Sequence, residues 1–120
     1  MVSDALRQVM LRAPGMGSLD GDGVATASAE HPVCGDELEF DCRIRDGRVL
    51  ELAWRASACP ATMAVAAAAA EAVVDLPVTD CADAVARRVQ DLGGLARTER
   101  HALELARRIF AQLADAASAR

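Results

Sequence analysis

A chain of 120 residues, 52% hydrophobic and 26% charged, suits one compact domain (residues 1–120) with a modest core. Its net charge of −5 argues against nucleic acid or an anionic membrane surface as a partner. Trp54, Phe40 and Phe110 are the only Trp, Tyr or Phe residues, so Leu, Val, Ile, Met and many Ala must build the core, with helices packed closely.

Met1-Val2-Ser3-Asp4 has neither the basic region nor the apolar run of a signal peptide, and the apolar run 64–70 is too short to span a bilayer. Four cysteines without an export signal are expected in a reducing cytoplasm, as metal ligands, reactive thiols or core thiols rather than disulfides.

Ser3 can cap a first helix, striped with Leu6, Val9 and Met10, which Pro14-Gly15 stops. Residues 15–23 are glycine-rich and read as loop. Neither Gly-Lys-Ser/Thr nor a helix follows, so they do not read as a phosphate loop. Residues 24–30 are expected to form a first strand.

His31-Pro32-Val33-Cys34-Gly35-Asp36 then places a thiol and a carboxylate two residues apart, at the expected start of a second strand. Pro32 biases His31 toward extended backbone, and Gly35 allows something to approach the chain closely. At a strand's period of two, Cys34 and Asp36 share a face, so a soft and a hard ligand address one spot. A buried free thiol beside a turn aspartate fits the same residues.

Leu38, Phe40, Cys42 and Ile44 alternate with charged residues, as do Leu50, Leu52, Trp54 and Ala56 with their neighbours, which predicts a hairpin. A two-residue Asp46-Gly47 turn would put Glu51 and Arg55 on the apolar face. A three-residue loop, residues 45–47, pairs 44 with 48, 42 with 50 and 38 with 54, and keeps apolar residues together. Extended further, that register lays Cys34 opposite Ala58 and brings Cys59 beside Cys34. Pro60 suits the first position of a helix running to about Val74, with Cys59 at its cap. The positive helix end there favours thiolate, although a small buried cap residue also fits.

Leu76-Pro77-Val78 ends that helix. Another runs from Thr79 or Asp80 to Gln90, with Ala82, Val85, Ala86 and Val89 inward. Cys81 in its first turn and Cys42 on the second strand read as structural thiols. After Gly93-Gly94 a last helix spans about 98–116, burying Ala102, Leu105, Ala106, Ile109, Leu113 and Ala116. His101 lies at the edge of that stripe, where a histidine is ordinarily a surface or capping residue.

Taken together, the chain resembles the IscU / NifU N-terminal family of iron–sulfur cluster scaffolds over nearly its whole length. Ala13-Pro14-Gly15-Met16-Gly17-Ser18-Leu19 is similar to the family's Asn-Pro-Arg-Asn-Val-Gly stretch. His31 to Asp36 resembles its first ligand motif, Asn/Ala-Pro-x-Cys-Gly-Asp, and Ala58-Cys59-Pro60-Ala61 its Gly-Cys-x-x, opening an Ala-rich helix. The third motif, His-Cys or Lys-Cys before Leu-Ala, departs: His101-Ala102 precedes Leu105-Ala106, so Ala102 stands where the family has a ligand cysteine. Leu95-Ala96-Arg97-Thr98-Glu99 does not reproduce the chaperone-recognised Leu-Pro-Pro-Val-Lys of the IscU branch. The short step from Cys59 to His101 lacks the SufU-branch insertion.

The resemblance implies an α+β fold, a small antiparallel sheet of about three strands with helices on one face. It implies a site at one sheet end, where Cys34, Asp36, Cys59 and His101 hold zinc or a transient [2Fe–2S] cluster. The implied function is a non-enzymatic cluster assembly scaffold or carrier, served by a cysteine desulfurase, an iron donor and recipient apoproteins. A metal-binding relative that has lost assembly activity and a zinc-dependent sulfur acceptor are the competing readings. A cytoplasmic monomer or weak homo-oligomer is expected.

Overall fold

A computed structural model describes residues 2–118. The elements run α1 (Asp4–Arg12), β1 (Val24–Glu30), β2 (Glu37–Arg45), β3 (Arg48–Ser57), α2 (Pro60–Ala72), β4 (Leu76–Pro77), α3 (Val78–Asp91) and α4 (His101–Ser118). A 3-10 turn, Arg97–Glu99, precedes α4. The strands form one antiparallel sheet in the order β1-β2-β3-β4 with helices packed against it, the expected α+β architecture. The short β4 is an addition: Leu76-Pro77, expected only to end a helix, pairs with Arg48 and Val49.

The hairpin register differs from the expected one. Ile44 pairs with Val49 and Arg45 with Arg48, so the turn is the two-residue Asp46-Gly47, with φ of 53° and 76°. Positive φ at both positions gives the twist that a two-residue hairpin needs. A bulge beside Arg43 and Ile44 leaves Leu50 unpaired and 39% exposed, while Val49 is buried. Beyond it Cys42 faces Leu52, Phe40 faces Trp54 and Leu38 faces Ala56. One extra residue on β3 thus lets a tight turn coexist with an all-apolar inner face.

Ser3 caps α1 as expected, its hydroxyl accepting from Leu6 N–H at 3.3 Å and donating to Leu92 O at 2.7 Å. The following loop docks along β3: Trp54 N–H donates to Gly15 O and Gly17 N–H to Trp54 O, each at 2.9 Å. A side chain at Gly15 would meet Ala70 Cβ at 2.5 Å and Leu52 O at 2.8 Å, so only glycine fits there. Farther along, Leu19 N–H, Thr26 Oγ1 and both terminal nitrogens of Arg55 converge on Asp41 at 2.7–3.0 Å. Arg55 also binds Gly17 O and Glu39, which staples the loop to the sheet.

α2 lies at the centre, in contact with α1, α3, α4 and β3. Ala61, Thr62 and residues 64–69 are buried, and their small side chains permit that close approach. On α4, Ala102, Leu105, Ala106, Ile109 and Leu113 face inward as expected, joined by Phe110, whereas Ala116 is exposed. No helix among the described residues is long and apolar enough to cross a membrane.

Candidate metal centre

The centre forms where the β1–β2 connection, the N-terminus of α2 and the start of α4 meet. Residues 31–36 are a closed turn rather than strand: His31 N–H donates to Asp36 O at 2.8 Å and Gly35 N–H to His31 O at 2.9 Å. Nothing lies within 4 Å of a side chain built on Gly35, so its glycine serves the turn, at φ 76°, and no close approach. Cys34 and Asp36 therefore converge through a turn and not through strand periodicity. Cys34 is exposed at its tip, while Asp36 is buried.

Asp36 reaches across to α2. Its Oδ1 accepts from the backbone N–H of Cys59 at 3.3 Å, and its Oδ2 from the Thr62 hydroxyl at 2.9 Å. Cys59 caps α2 with no side-chain cap bond of its own, so Asp36 supplies the negative charge this helix end favours. Burial pushes the Asp36 carboxyl up, but hydrogen bonds from the Cys59 thiol, Thr62, the Cys59 backbone and His101 outweigh it and hold it at about 2.

His101 faces Thr98 O through Nδ1 at 3.2 Å. A carbonyl only accepts, so Nδ1 carries a proton, and Nε2 either donates to Asp36 when the ring is doubly protonated or offers its lone pair to a cation. That nitrogen lies 3.2 Å from Asp36 Oδ2 and 3.5 Å from Cys59 Sγ. Two acceptors and a sulfur thus face one another, and a proton or a metal cation must stand among them. Donor atoms of Cys34, Asp36 and His101 lie within 4.8 Å of one another. Cys59 adjoins that group through His101 and through Thr62 Oγ1, 3.7 Å from its sulfur. The expected placement of Cys59 beside Cys34 by strand register does not occur, because pairing stops at Glu37 and Ser57.

Two thiols, a carboxylate and an imidazole suit zinc or iron and are a poor match for calcium or magnesium. Cys42 and Cys81 stay apart from this chemistry: both are fully buried, and burial above all pushes each thiol to about 12. Ala102 is also fully buried, so the residue after His101 belongs to the core.

Two neighbours escaped the sequence reading as side chains with a role. His31, noted only for its backbone, places Nδ1 3.2 Å from Cys34 Sγ. Thr62 stands three residues after Cys59, a spacing that puts both on one face of α2 and could have signalled it.

The model of the NifU-like N terminal domain family matches residues 8–117. Among solved structures, an N-terminal NifU-like protein from Brucella abortus superposes with a TM-score of 0.67 at 21% identity, covering 94% of this chain and 89% of that one. A protein described as an iron–sulfur cluster assembly scaffold for the SUF system of Fervidobacterium islandicum gives a TM-score of 0.60 at 11% identity, covering 85% and 79%. A hypothetical protein gives 0.58 at 22% identity, covering 84% and 75%. No curated protein matches the chain.

Proposed function

The chain belongs to the NifU-like N-terminal domain family, and from that premise we propose that it is an iron–sulfur cluster scaffold or carrier rather than an enzyme. The supporting observation is the convergence of Cys34, Asp36, Cys59 and His101, with the His101 ring turned by Thr98 so that its Nε2 faces the other donors. Iron and cluster are cargo here. The two thiolates supply most of the affinity, while Asp36 is a hard, weakly iron-preferring ligand that favours release. A cysteine desulfurase, an iron donor and recipient apoproteins are the partners this role requires. The same donor types also suit zinc.

Anaerobic reconstitution with ferrous iron and sulfide tests this reading. Charge-transfer absorption and about stoichiometric sulfide are expected for the wild type, with both lost in Cys34→Ser and in Cys59→Ser. Cys42→Ser and Cys81→Ser should keep the cluster. Equal losses in all four variants, or a folded wild type that takes up neither iron nor zinc, would remove the assignment.

A further inference from the structure

The chain has two histidines, and both stand at this centre. Each offers a ring nitrogen to a different cysteine: His101 Nε2 lies 3.5 Å from Cys59 Sγ, and His31 Nδ1 lies 3.2 Å from Cys34 Sγ. With bonds of about 2.3 Å to sulfur and about 2.0–2.1 Å to nitrogen, neighbouring ligands of one tetrahedral ion stand about 3.5 Å apart. Both pairs have close to that spacing. Their rings are 5.1 Å apart between centroids and tilted by 59°, so the pairs lie side by side.

The tautomers agree. His31 Nδ1 faces the backbone N–H of Cys34 at 3.2 Å and of Val33 at 3.4 Å, so its lone pair is on the nitrogen beside the sulfur. Those contacts are long for hydrogen bonds and exposed, so little is lost when Nδ1 turns to a cation. The turn itself stays closed by its two backbone bonds, which do not involve the ring.

We propose that His31 is a metal ligand paired with Cys34, giving the centre two metal positions, Cys34–His31 and Cys59–His101, with Asp36 in reach of both. The proposal rests on the metal-scaffold reading and adds to it a ligand and a second position.

Zinc titration of the metal-free, reduced full chain tests it, followed by X-ray absorption at the zinc edge. The wild type is expected to bind about two equivalents, with about one imidazole per zinc. His31→Asn keeps a side-chain acceptor for the two backbone N–H groups but removes the imidazole. It is expected to weaken the second equivalent by about tenfold or more. A wild type that binds one equivalent, unchanged by His31→Asn, makes His31 a turn cap and overturns the proposal alone. A second equivalent that His31→Asn retains also overturns it. If His31→Asn does not fold, the wild-type spectrum decides, since about half an imidazole per bound zinc excludes His31. A wild type that binds no zinc removes the metal reading along with the proposal.

Discussion

Asp36 and Asp41 stand on either side of the start of the same β2 ladder, both buried, at 7% and 4% exposure. Both carboxyls are held below their ordinary range. The causes differ. At Asp41 the foremost cause is the two-pronged Arg55 guanidinium, opposed by burial and helped by Leu19 N–H and Thr26. At Asp36 burial is the largest influence and works against ionisation, and a thiol, a hydroxyl, a backbone N–H and a histidine overcome it. Asp41 thus meets a permanent cation from its own chain and becomes a staple for the loop over β3. Asp36 is stabilised by groups that carry no fixed charge, so its negative charge remains available to a cation from outside. One residue type at similar depth does two jobs, and the presence of an arginine decides which.

The largest effect expected from breaking this contrast is on stability, at Asp41. Asp41→Asn leaves Arg55 without its main partner and should cost about 2–3 kcal/mol, less than for a fully buried pair because the Arg55 side chain is 38% exposed. Chemical denaturation measures it, and zinc content should not change. The sign with pH follows from the lowered carboxyl. The contribution of Asp41 is complete above about pH 4 and is lost as pH falls toward the folded-state value, so the gap between wild type and variant should close in acid. Asp36→Asn is expected to reverse the balance. Zinc affinity should fall by about 10–100-fold, read by competition with a chromophoric chelator, while the metal-free protein loses only about 1 kcal/mol. Any stability that Asp36 gives the metal-free protein should disappear between its ordinary value of 3.8 and about 2. Similar stability losses with unchanged zinc affinity in both variants would erase the distinction.

Much of this was legible in the chain. The order of the main helices and strands, the Ser3 cap, the Cys59-Pro60 helix start, Val85 and Val89 in the core stripe of α3 and most of that of α4 follow from periodicity and capping chemistry alone, although Ala82 and Ala86 are only half-buried. The bulge at Leu50 was not, because local alternation cannot show an unpaired residue whose only signature is a change of phase. The short β4 is equally silent: a pairing of Leu76 and Pro77 with a distant strand leaves no local period. At the centre, the four expected ligands were named from motif and resemblance, but the path that joins them was misread as a strand. What brought Cys34 and Asp36 together was a turn closed by His31. The tautomer of His101 is set by the local carbonyl of Thr98, three residues earlier, which a 3-10 turn presents where the sequence reading placed the first turn of the last helix.

The finest test of the contrast is Thr62, which is to Asp36 a neutral counterpart of what Arg55 is to Asp41. Its hydroxyl is fully buried and donates to Asp36 Oδ2 at 2.9 Å, while Oδ1 is taken by Cys59 N–H. Thr62→Val keeps nearly the same volume and removes that donor. Two consequences oppose each other: Oδ2 gains a free lone pair for metal, but the carboxylate loses half of what fixes its rotation. Loss of orientation should win, because a ligand already turned toward the centre binds without further ordering. The expected result is a zinc affinity about 3–10-fold weaker and a metal-free stability about 1 kcal/mol lower. Thr62→Ser retains the hydroxyl and should recover most of the affinity, which a loss of packing alone would not allow. If Thr62→Val binds zinc as tightly as the wild type, then the α2 terminus alone orients Asp36. The contrast with Asp41 would then reduce to a helix end against an arginine.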